Sequence, residues 1–135
     1  VYITGQGRAD PLVTYFHYTM VKHGGQAVDL SLLHPSMDDK ARMLKTDDVL
    51  LAISFSPYTA NTRELVDICL LNKTKVVALT DSSLSPIARA DDFHLEVLEE
   101  EVSGFRGLSA TMCLALCLAV ETGKVRAELD AKLKA

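Results

Sequence analysis

The chain has 135 residues and a mass of 14.7 kDa, a length that fits one domain with a substantial core. Apolar residues make up 48% of the chain, which excludes an intrinsically disordered protein. The formal net charge is -4, so the chain as a whole lacks the basic surface of a nucleic-acid-binding domain.

Strand and helix patterns alternate along the chain. Residues 49–53 and 75–80 are apolar almost throughout, which is typical of strands covered on both faces. Asp10 and Pro11 suit the N-cap and first position of a helix that ends at Gly24–Gly25. We predict five strands, at residues 1–4, 27–30, 49–53, 75–80 and 93–98. The predicted helices run from 10 to that glycine pair, 36–45 capped by Ser36, 61–71, a short 85–90 and a long apolar 105–122, which a charged helical tail 123–134 follows. The apolar side of helix 61–71 is formed by Leu65, Val66, Ile68, Cys69 and Leu71.

Five strands that alternate with helices predict a parallel sheet with helices on both faces, as in a doubly wound α/β domain. We find no linker, so residues 1–135 form one domain. A core strand begins at Val1, and the chain starts without a methionine. We therefore expect a fragment of a longer protein whose N-terminal part is missing.

Three hydroxyls lie within six residues, between strand 49–53 and the helix that follows. They belong to Ser54, Ser56 and Thr59, and Tyr58 lies in the same turn. Ligands of open α/β sheets bind at this edge, and the N-terminus of a helix attracts anions. A helix cap explains one such hydroxyl but not three. The turn therefore predicts a site for a phosphate-bearing ligand.

Two further segments end on the same edge of the sheet. The turn Gly5–Gln6–Gly7 is a weak signal, because turn geometry alone accounts for its glycines. Arg8 follows it and either reaches an anion or is a solvated surface arginine. Asp81 accepts a hydrogen bond from a ligand hydroxyl or acts as an Asx-turn residue, and the sequence favours neither.

No catalytic or metal centre is indicated by the titratable residues. Glu99, Glu100 and Glu101 follow the last predicted strand, where a carboxylate can act as a base, although such a run is more often a solvated loop. The four histidines lack the spacing of metal ligands, and they are His17, His23, His34 and His94.

The three cysteines also lack the spacing of a zinc site. Cys69, Cys113 and Cys117 lie in apolar helical segments and are expected to act as small hydrophobic residues in a reducing, cytoplasmic compartment. The apolar run 108–120 is too short to cross a bilayer, which needs about 20 residues. We predict no cofactor and no membrane partner.

The pattern D-V-L-L-A-I-S-F-S-x-x-T…E-L-V…K-V-V-A-L-T-D-S-S-L-S-P-I-A-R-A-D resembles the sugar isomerase (SIS) domain, and in particular that of RpiR-type bacterial transcriptional regulators. The resemblance spans nearly the whole chain and is strongest from residue 47 to 92. It implies a three-layer αβα sandwich with a flavodoxin-like five-stranded parallel sheet. It also implies a dimer or tetramer that binds a sugar phosphate, with DNA read only by a separate N-terminal helix-turn-helix domain.

Carried over by position, Ser54, Ser56 and Thr59 match the phosphate-binding hydroxyls of the family, and Gly5 and Gly7 match its first glycine turn. There are two departures from the family pattern, and both remove a hydrogen-bond donor. Pro57 stands where a glycine is usual and has no N–H to offer a phosphate. Ala9 replaces a serine, so a hydroxyl is lost from the first loop.

Three functions follow as hypotheses. The first is a phosphosugar-sensing and oligomerisation domain of a transcriptional regulator, without enzyme activity. Its long apolar helix forms the oligomer surface through Leu114, Leu116, Cys117 and Val120, although a core role also fits their composition. The second is an aldose–ketose isomerase of sugar phosphates that uses Glu99, Glu100 or Glu101 with His94 or His17. The third is a dimerisation module whose ligand site has decayed.

Overall fold

The computed structural model describes residues 1–32, 36–89 and 93–134. Within these residues, seven strands, four α-helices and two short 3-10 helices follow one another. The 3-10 helices are Gly7–Ala9 and Leu30–Leu32. The other elements are β1 Tyr2–Gly5, α1 Asp10–Lys22, β2 Val28–Asp29, α2 Met37–Met43, β3 Val49–Ser54, α3 Ala60–Leu71, β4 Lys75–Thr80, β5 Phe93–Glu96, β6 Glu101–Val102, β7 Phe105–Arg106 and α4 Ser109–Lys134.

Five strands form one sheet in the order β2-β1-β3-β4-β5, and every neighbouring pair is parallel. This is the flavodoxin-like order, and it confirms the predicted fold class. The order places β1, β3 and β4 side by side in the middle of the sheet. The carboxyl ends of these three strands therefore meet at one edge, next to the point where the strand order reverses.

Helices cover both faces of the sheet. Leu51 and Ile53 of β3 belong to a core cluster with residues of α1 and α4, whereas Leu50 and Ala52 belong to a second cluster with residues of α2 and α3. Successive side chains of a strand point to opposite faces, so both halves of the β3 sequence must be apolar. This is why the run 49–53 shows no alternation.

A small antiparallel hairpin, β6–β7, was not predicted from the sequence. Glu101 pairs with Arg106, and Val102 pairs with Phe105. Ser103 has a φ of 52° and Gly104 a φ of 81°, the left-handed values of a tight hairpin turn. The prediction that a helix begins at residue 105 was therefore wrong, since α4 begins four residues later.

The last helix is a single element of 26 residues, not an apolar helix followed by a separate tail. Gly123 lies inside it, where α4 crosses the end of α1. A Cβ at this position would lie 2.8 Å from the Cβ of His23, so glycine permits the close approach of the two helices. Residues 124–134 continue beyond this contact and are exposed.

Several local predictions are confirmed and others are wrong. Ser36 caps α2 as predicted, because its hydroxyl accepts the N–H of Asp39 at 3.2 Å. Asp10 is not a cap, since α1 begins at that residue. Leu71 was placed on the apolar side of α3 but is 82% exposed. The predicted helix 85–90 is absent from residues 85–89, which form a bend, a turn and irregular backbone, and its last residue lies outside the described residues.

The cysteines differ from one another more than expected. Cys69 is fully buried on α3, and burial raises the pKa of its thiol to about 11. Cys113 and Cys117 are exposed on the outer face of α4, so they do not act as core residues in this chain. Within the described ranges, no helix combines the length and apolar character needed to cross a membrane.

Candidate functional site

The predicted site residues lie at the carboxyl edge of the sheet. Gly5 is the last residue of β1 and is in register with Ile53, and Ser54 is the last residue of β3 and is in register with Thr80. The hydroxyl turn, residues 54–59, leads from the end of β3 into α3. Asp81 directly follows β4, so these segments converge as the sequence predicts.

The side chain of Asp81 joins the end of β4 to the hydroxyl turn. Its Oδ2 accepts the backbone N–H of Ser56 at 3.0 Å, and its Oδ1 accepts the hydroxyl of Tyr58 at 2.9 Å. Burial, followed by this hydrogen bond and the charge of Asp81, raises the pKa of the Tyr58 phenol above its ordinary value. The sequence left Asp81 between a ligand contact and a local turn, and its carboxylate bonds instead across the edge of the sheet.

Two arginines approach the same carboxylate. Arg8 Nη2 lies 3.6 Å from Asp81 Oδ2, and Arg106 Nη1 lies 3.4 Å from it. The guanidinium of Arg8 also lies over the ring of Phe55, 4.7 Å from its centroid. Its Nη1 is buried and has no hydrogen-bond partner among the described residues. Arg8 is therefore not a solvated surface arginine but a cation with an unused donor.

The three hydroxyls occupy different environments. Ser54 is buried, whereas Ser56 is exposed. Thr59 is the N-cap residue of α3, but its side chain makes no capping hydrogen bond, and its hydroxyl lies 2.9 Å from that of Thr62. A simple capping role therefore does not account for Thr59. Binding of a ligand by Ser54, Ser56 and Thr59 stays a prediction.

The first glycine turn contributes mainly through packing. A Cβ on Gly5 would lie 2.9 Å from the Cβ of Ala9 and 3.0 Å from the carbonyl oxygen of Ile53. The hydroxyl of Ser31 accepts the Gly5 N–H at 3.3 Å and donates to its carbonyl at 2.9 Å. The backbone of Gly5 is thus already bonded, and Gly7 begins the 3-10 helix that carries Arg8.

A cleft of about 530 Å³ lies between the hydroxyl turn and the β6–β7 hairpin. Glu101 lies on the hairpin side, where its Oε2 is 3.6 Å from Arg106 Nε. Sequence reasoning missed Arg106 because the hairpin itself was missed. The residues that line the cleft are Arg8, Ser56, Pro57, Glu101, Gly104, Phe105 and Arg106.

Glu99, a candidate base, caps α4. Its carboxylate accepts the N–H of Thr111 at 2.7 Å, the hydroxyl of Thr111 at 2.6 Å and the N–H of Ala110 at 3.3 Å. Burial alone would raise the pKa of Glu99, but these hydrogen bonds and the charge of Arg8 outweigh it, so the pKa lies below its ordinary value. Protonation would weaken the cap, which makes Glu99 a poor base.

The histidines do not complete a catalytic group at the cleft. His94 Nε2 lies 2.6 Å from Thr80 Oγ1, and His17 lies in the middle of α1. His34 falls outside the described residues. Within residues 1–32, 36–89 and 93–134, no group of three or more His, Cys, Asp or Glu side chains is placed to hold a metal ion.

Replacement of Glu99 by Gln should lower the free energy of unfolding by about 1 kcal/mol, because a capping carboxylate of α4 is lost. The wild type should also lose this contribution in acid. The folded-state pKa of Glu99 is lowered, so its stabilisation is present above the unfolded pKa and disappears as the pH falls through the folded pKa. Urea denaturation across this acid range measures both effects, and Glu100→Gln, an exposed neighbour, is the control. Equal pH dependence in wild type and Glu99→Gln would contradict the capping role.

Comparison with known proteins gives one family and several solved structures. The model of the SIS domain matches residues 1–121. No curated protein sequence matches the chain significantly. The sugar isomerase domain of the RpiR transcription factor from Sphaerobacter thermophilus has 20% identity and a TM-score of 0.80, with 93% of this chain and 69% of that chain covered.

Two other solved structures share the fold. The Vibrio vulnificus NanR protein, complexed with ManNAc-6P, has 18% identity and a TM-score of 0.73, and the match covers 98% of this chain and 54% of that chain. A Bacteroides fragilis protein assigned a phosphosugar isomerase role in capsule formation has 24% identity and a TM-score of 0.71, with 94% and 69% covered. At these identities the likeness establishes the fold.

Proposed function

Because the chain belongs to the SIS domain family, we propose that it binds a sugar phosphate in the cleft between the hydroxyl turn and the β6–β7 hairpin, as the sensing and oligomerisation domain of an RpiR-type bacterial transcriptional regulator. The observation that carries this proposal is Arg8. Arg8 lines the cleft together with Ser56, and its buried Nη1 has no hydrogen-bond partner in the part of the chain that the structure describes, so its guanidinium keeps an unused donor for an anion.

Three kinds of donor serve a phosphate monoester in this cleft. The hydroxyl of Ser56 lines the cleft, and Thr59 follows in the same turn as the N-cap residue of α3, whose N-terminus adds a partial positive charge. Arg8 and Arg106 supply guanidinium groups that match the geometry of phosphate oxygens. Pro57 contributes no N–H, so the arginines compensate for a backbone donor that the turn lacks.

The β6–β7 hairpin offers a route from ligand to quaternary structure. Arg106 contacts the site, and α4 begins three residues later at Ser109. A ligand that holds Arg106 in one position thereby favours one position of the start of α4. A coupling of about 1–3 kcal/mol is enough for regulation. In this proposal DNA is read by a helix-turn-helix domain N-terminal to residue 1, and the structures of the RpiR protein and of NanR with ManNAc-6P support such a sensor.

The outer face of α4 supports the oligomerisation part of the proposal. Cys113, Leu116 and Cys117 are exposed on it, and Val120 is half-buried. Leu114, by contrast, packs against the core. An exposed apolar stripe of this kind is suited to pairing with a second copy.

Light scattering of wild type and Leu116→Asp measures the molar mass in solution. We expect a dimer or tetramer for the wild type and a smaller species for the variant. Leu84→Asp removes a leucine that is 89% exposed elsewhere, and it should leave the mass unchanged. A monomeric wild type would contradict the assignment of this face.

An isomerase is the second candidate, favoured by one observation: Glu101, a carboxylate, lines the cleft. The Bacteroides fragilis neighbour supports such a reaction on this fold. The cap formed by Glu99 argues against that residue as base, which leaves Glu101 as the group to test.

Titration with a panel of sugar phosphates, and with the same sugars unphosphorylated, tests the proposed function. We expect one or more phosphates to stabilise the fold by about 2.7 kcal/mol at a hundredfold excess over Kd, and the free sugars to have no effect. The Ser56→Ala,Thr59→Ala variant should lose this stabilisation. Turnover that disappears in Glu101→Gln would favour the isomerase, and no response to any phosphate would favour the decayed module.

A further inference from the structure

The donors of the cleft are already engaged by an anion of the chain itself. Asp81 accepts the Ser56 N–H and the Tyr58 hydroxyl, and it attracts the guanidinium groups of Arg8 and Arg106. Its side chain is only 6% exposed, whereas those of Arg8 and Arg106 are 24% and 45% exposed. The carboxylate is therefore more buried than the two arginines, and it contacts three residues that line the cleft, Ser56, Arg8 and Arg106.

Each of these contacts is one that a phosphate monoester also makes. Backbone N–H, hydroxyl and guanidinium donors bind carboxylate and phosphate oxygens alike. A phosphate brought against the same donors would lie close to the Asp81 carboxylate and be repelled by it. The two anions thus compete for one set of donors.

We propose that Asp81 is an internal competitor, whose carboxylate occupies the anion position of the cleft until a phosphate displaces it; this rests on the proposed function. Displacement replaces a carboxylate of charge -1 by a phosphate whose charge is nearer -2. The electrostatic attraction between the two guanidinium groups and the phosphate is therefore stronger than their attraction to the carboxylate. Asp81 thereby lowers the affinity for all anions and favours phosphate monoesters over carboxylates.

Glu101 provides a matched comparison within the same cleft. It also carries one negative charge, but its side chain is 57% exposed, and among the described residues it forms an ion pair only with Arg106, at 3.6 Å. Removal of the Glu101 charge reduces general repulsion without freeing the Ser56 N–H. A difference between Asp81→Asn and Glu101→Gln therefore separates competition for donors from a general effect of charge.

The experiment is a titration with inorganic phosphate, followed by calorimetry and by the backbone amide resonance of Ser56. Asp81→Asn is expected to bind phosphate about tenfold more tightly than the wild type, since one charge-assisted set of contacts no longer has to be broken. Glu101→Gln lines the same cleft and releases Arg106 but not the Ser56 N–H, so its affinity for phosphate should rise by less than about threefold. Equal or weaker binding by Asp81→Asn, or an equal gain in Glu101→Gln, would overturn the proposal.

A wild-type measurement keeps the proposal testable if Asp81→Asn does not fold. The resonance of the Asp81 carboxyl carbon should move together with the Ser56 amide as phosphate saturates the protein, and a stationary carboxyl resonance would overturn the displacement. The proposed function is judged separately by sugar phosphates. Wild-type binding of a sugar phosphate, with no gain in Asp81→Asn, would overturn the competition alone. If neither the wild type nor Asp81→Asn binds inorganic phosphate, the proposed competition by Asp81 is overturned. If the wild type also binds no sugar phosphate, the proposed function is overturned as well.

Discussion

The Arg8→Met variant is expected to bind inorganic phosphate and sugar phosphates about 30-fold more weakly than the wild type. The guanidinium of Arg8 lines the cleft and keeps one nitrogen, Nη1, without a hydrogen-bond partner among the described residues. A hydrogen bond between this guanidinium and a bound anion contributes about 2 kcal/mol. Methionine keeps an unbranched stem against the ring of Phe55, so packing is largely preserved. Calorimetric titration of both proteins measures the loss.

Two further variants show whether the effect belongs to Arg8 itself. Arg63 lies in the first part of α3 and pairs with Asp67, so Arg63→Met removes a cation from the same end of the sheet without touching the cleft. Arg8→Lys keeps the charge but loses the planar pair of donors, so its affinity for phosphate should lie between those of the wild type and Arg8→Met. If Arg63→Met loses as much affinity for phosphate as Arg8→Met does, the affinity depends on the overall charge and not on Arg8 itself.

The Gly5→Ala variant is expected to lose about 2 kcal/mol of unfolding free energy, which is roughly 8 °C in Tm for a chain of this size. The added methyl would meet the Cβ of Ala9 at 2.9 Å and the Ile53 carbonyl oxygen at 3.0 Å. The carbonyl is part of the sheet backbone and cannot move aside without disturbing the pairing of β1 with β3.

Gly107→Ala is the matched control for this prediction. The nearest atom to a Cβ at that position, an oxygen of Glu99, is at 3.8 Å, an ordinary contact distance. Its stability should stay the same or rise slightly, because alanine reduces the entropy of the unfolded chain. If both variants unfold at the same urea concentration as the wild type, the close contact at Gly5 does not destabilise the fold, and the prediction is wrong.

The sheet could be read from the sequence because burial leaves a clear pattern. The central strands β3 and β4 are covered on both faces, so their residues are apolar in succession and their bounds are nearly those predicted. The hydroxyl turn followed from its place between β3 and α3. The residues of this turn predicted a phosphate-bearing ligand, and the resemblance to the SIS domain narrowed that prediction to a sugar phosphate.

The rest of the site depends on contacts between distant segments. Arg106 reaches Asp81 across 25 residues of sequence, and no local pattern encodes that meeting. The hairpin that carries Arg106 has strands of two residues, too short for a detectable alternation, and Phe105 merged with the apolar run of α4. The Ser103–Gly104 pair, a common turn signal, was the one local clue to this hairpin.

The 26 residues of α4 form one continuous rod, about 39 Å long at 1.5 Å per residue. One end is fixed by Glu99 beside the cleft, and Gly123 rests against His23 nearer the other end. A small rotation at one end of so long a helix produces a larger displacement at its other end. A tilt of about 5° at the capped end would displace the far end by about 3 Å, which is comparable to the rise of two helical residues.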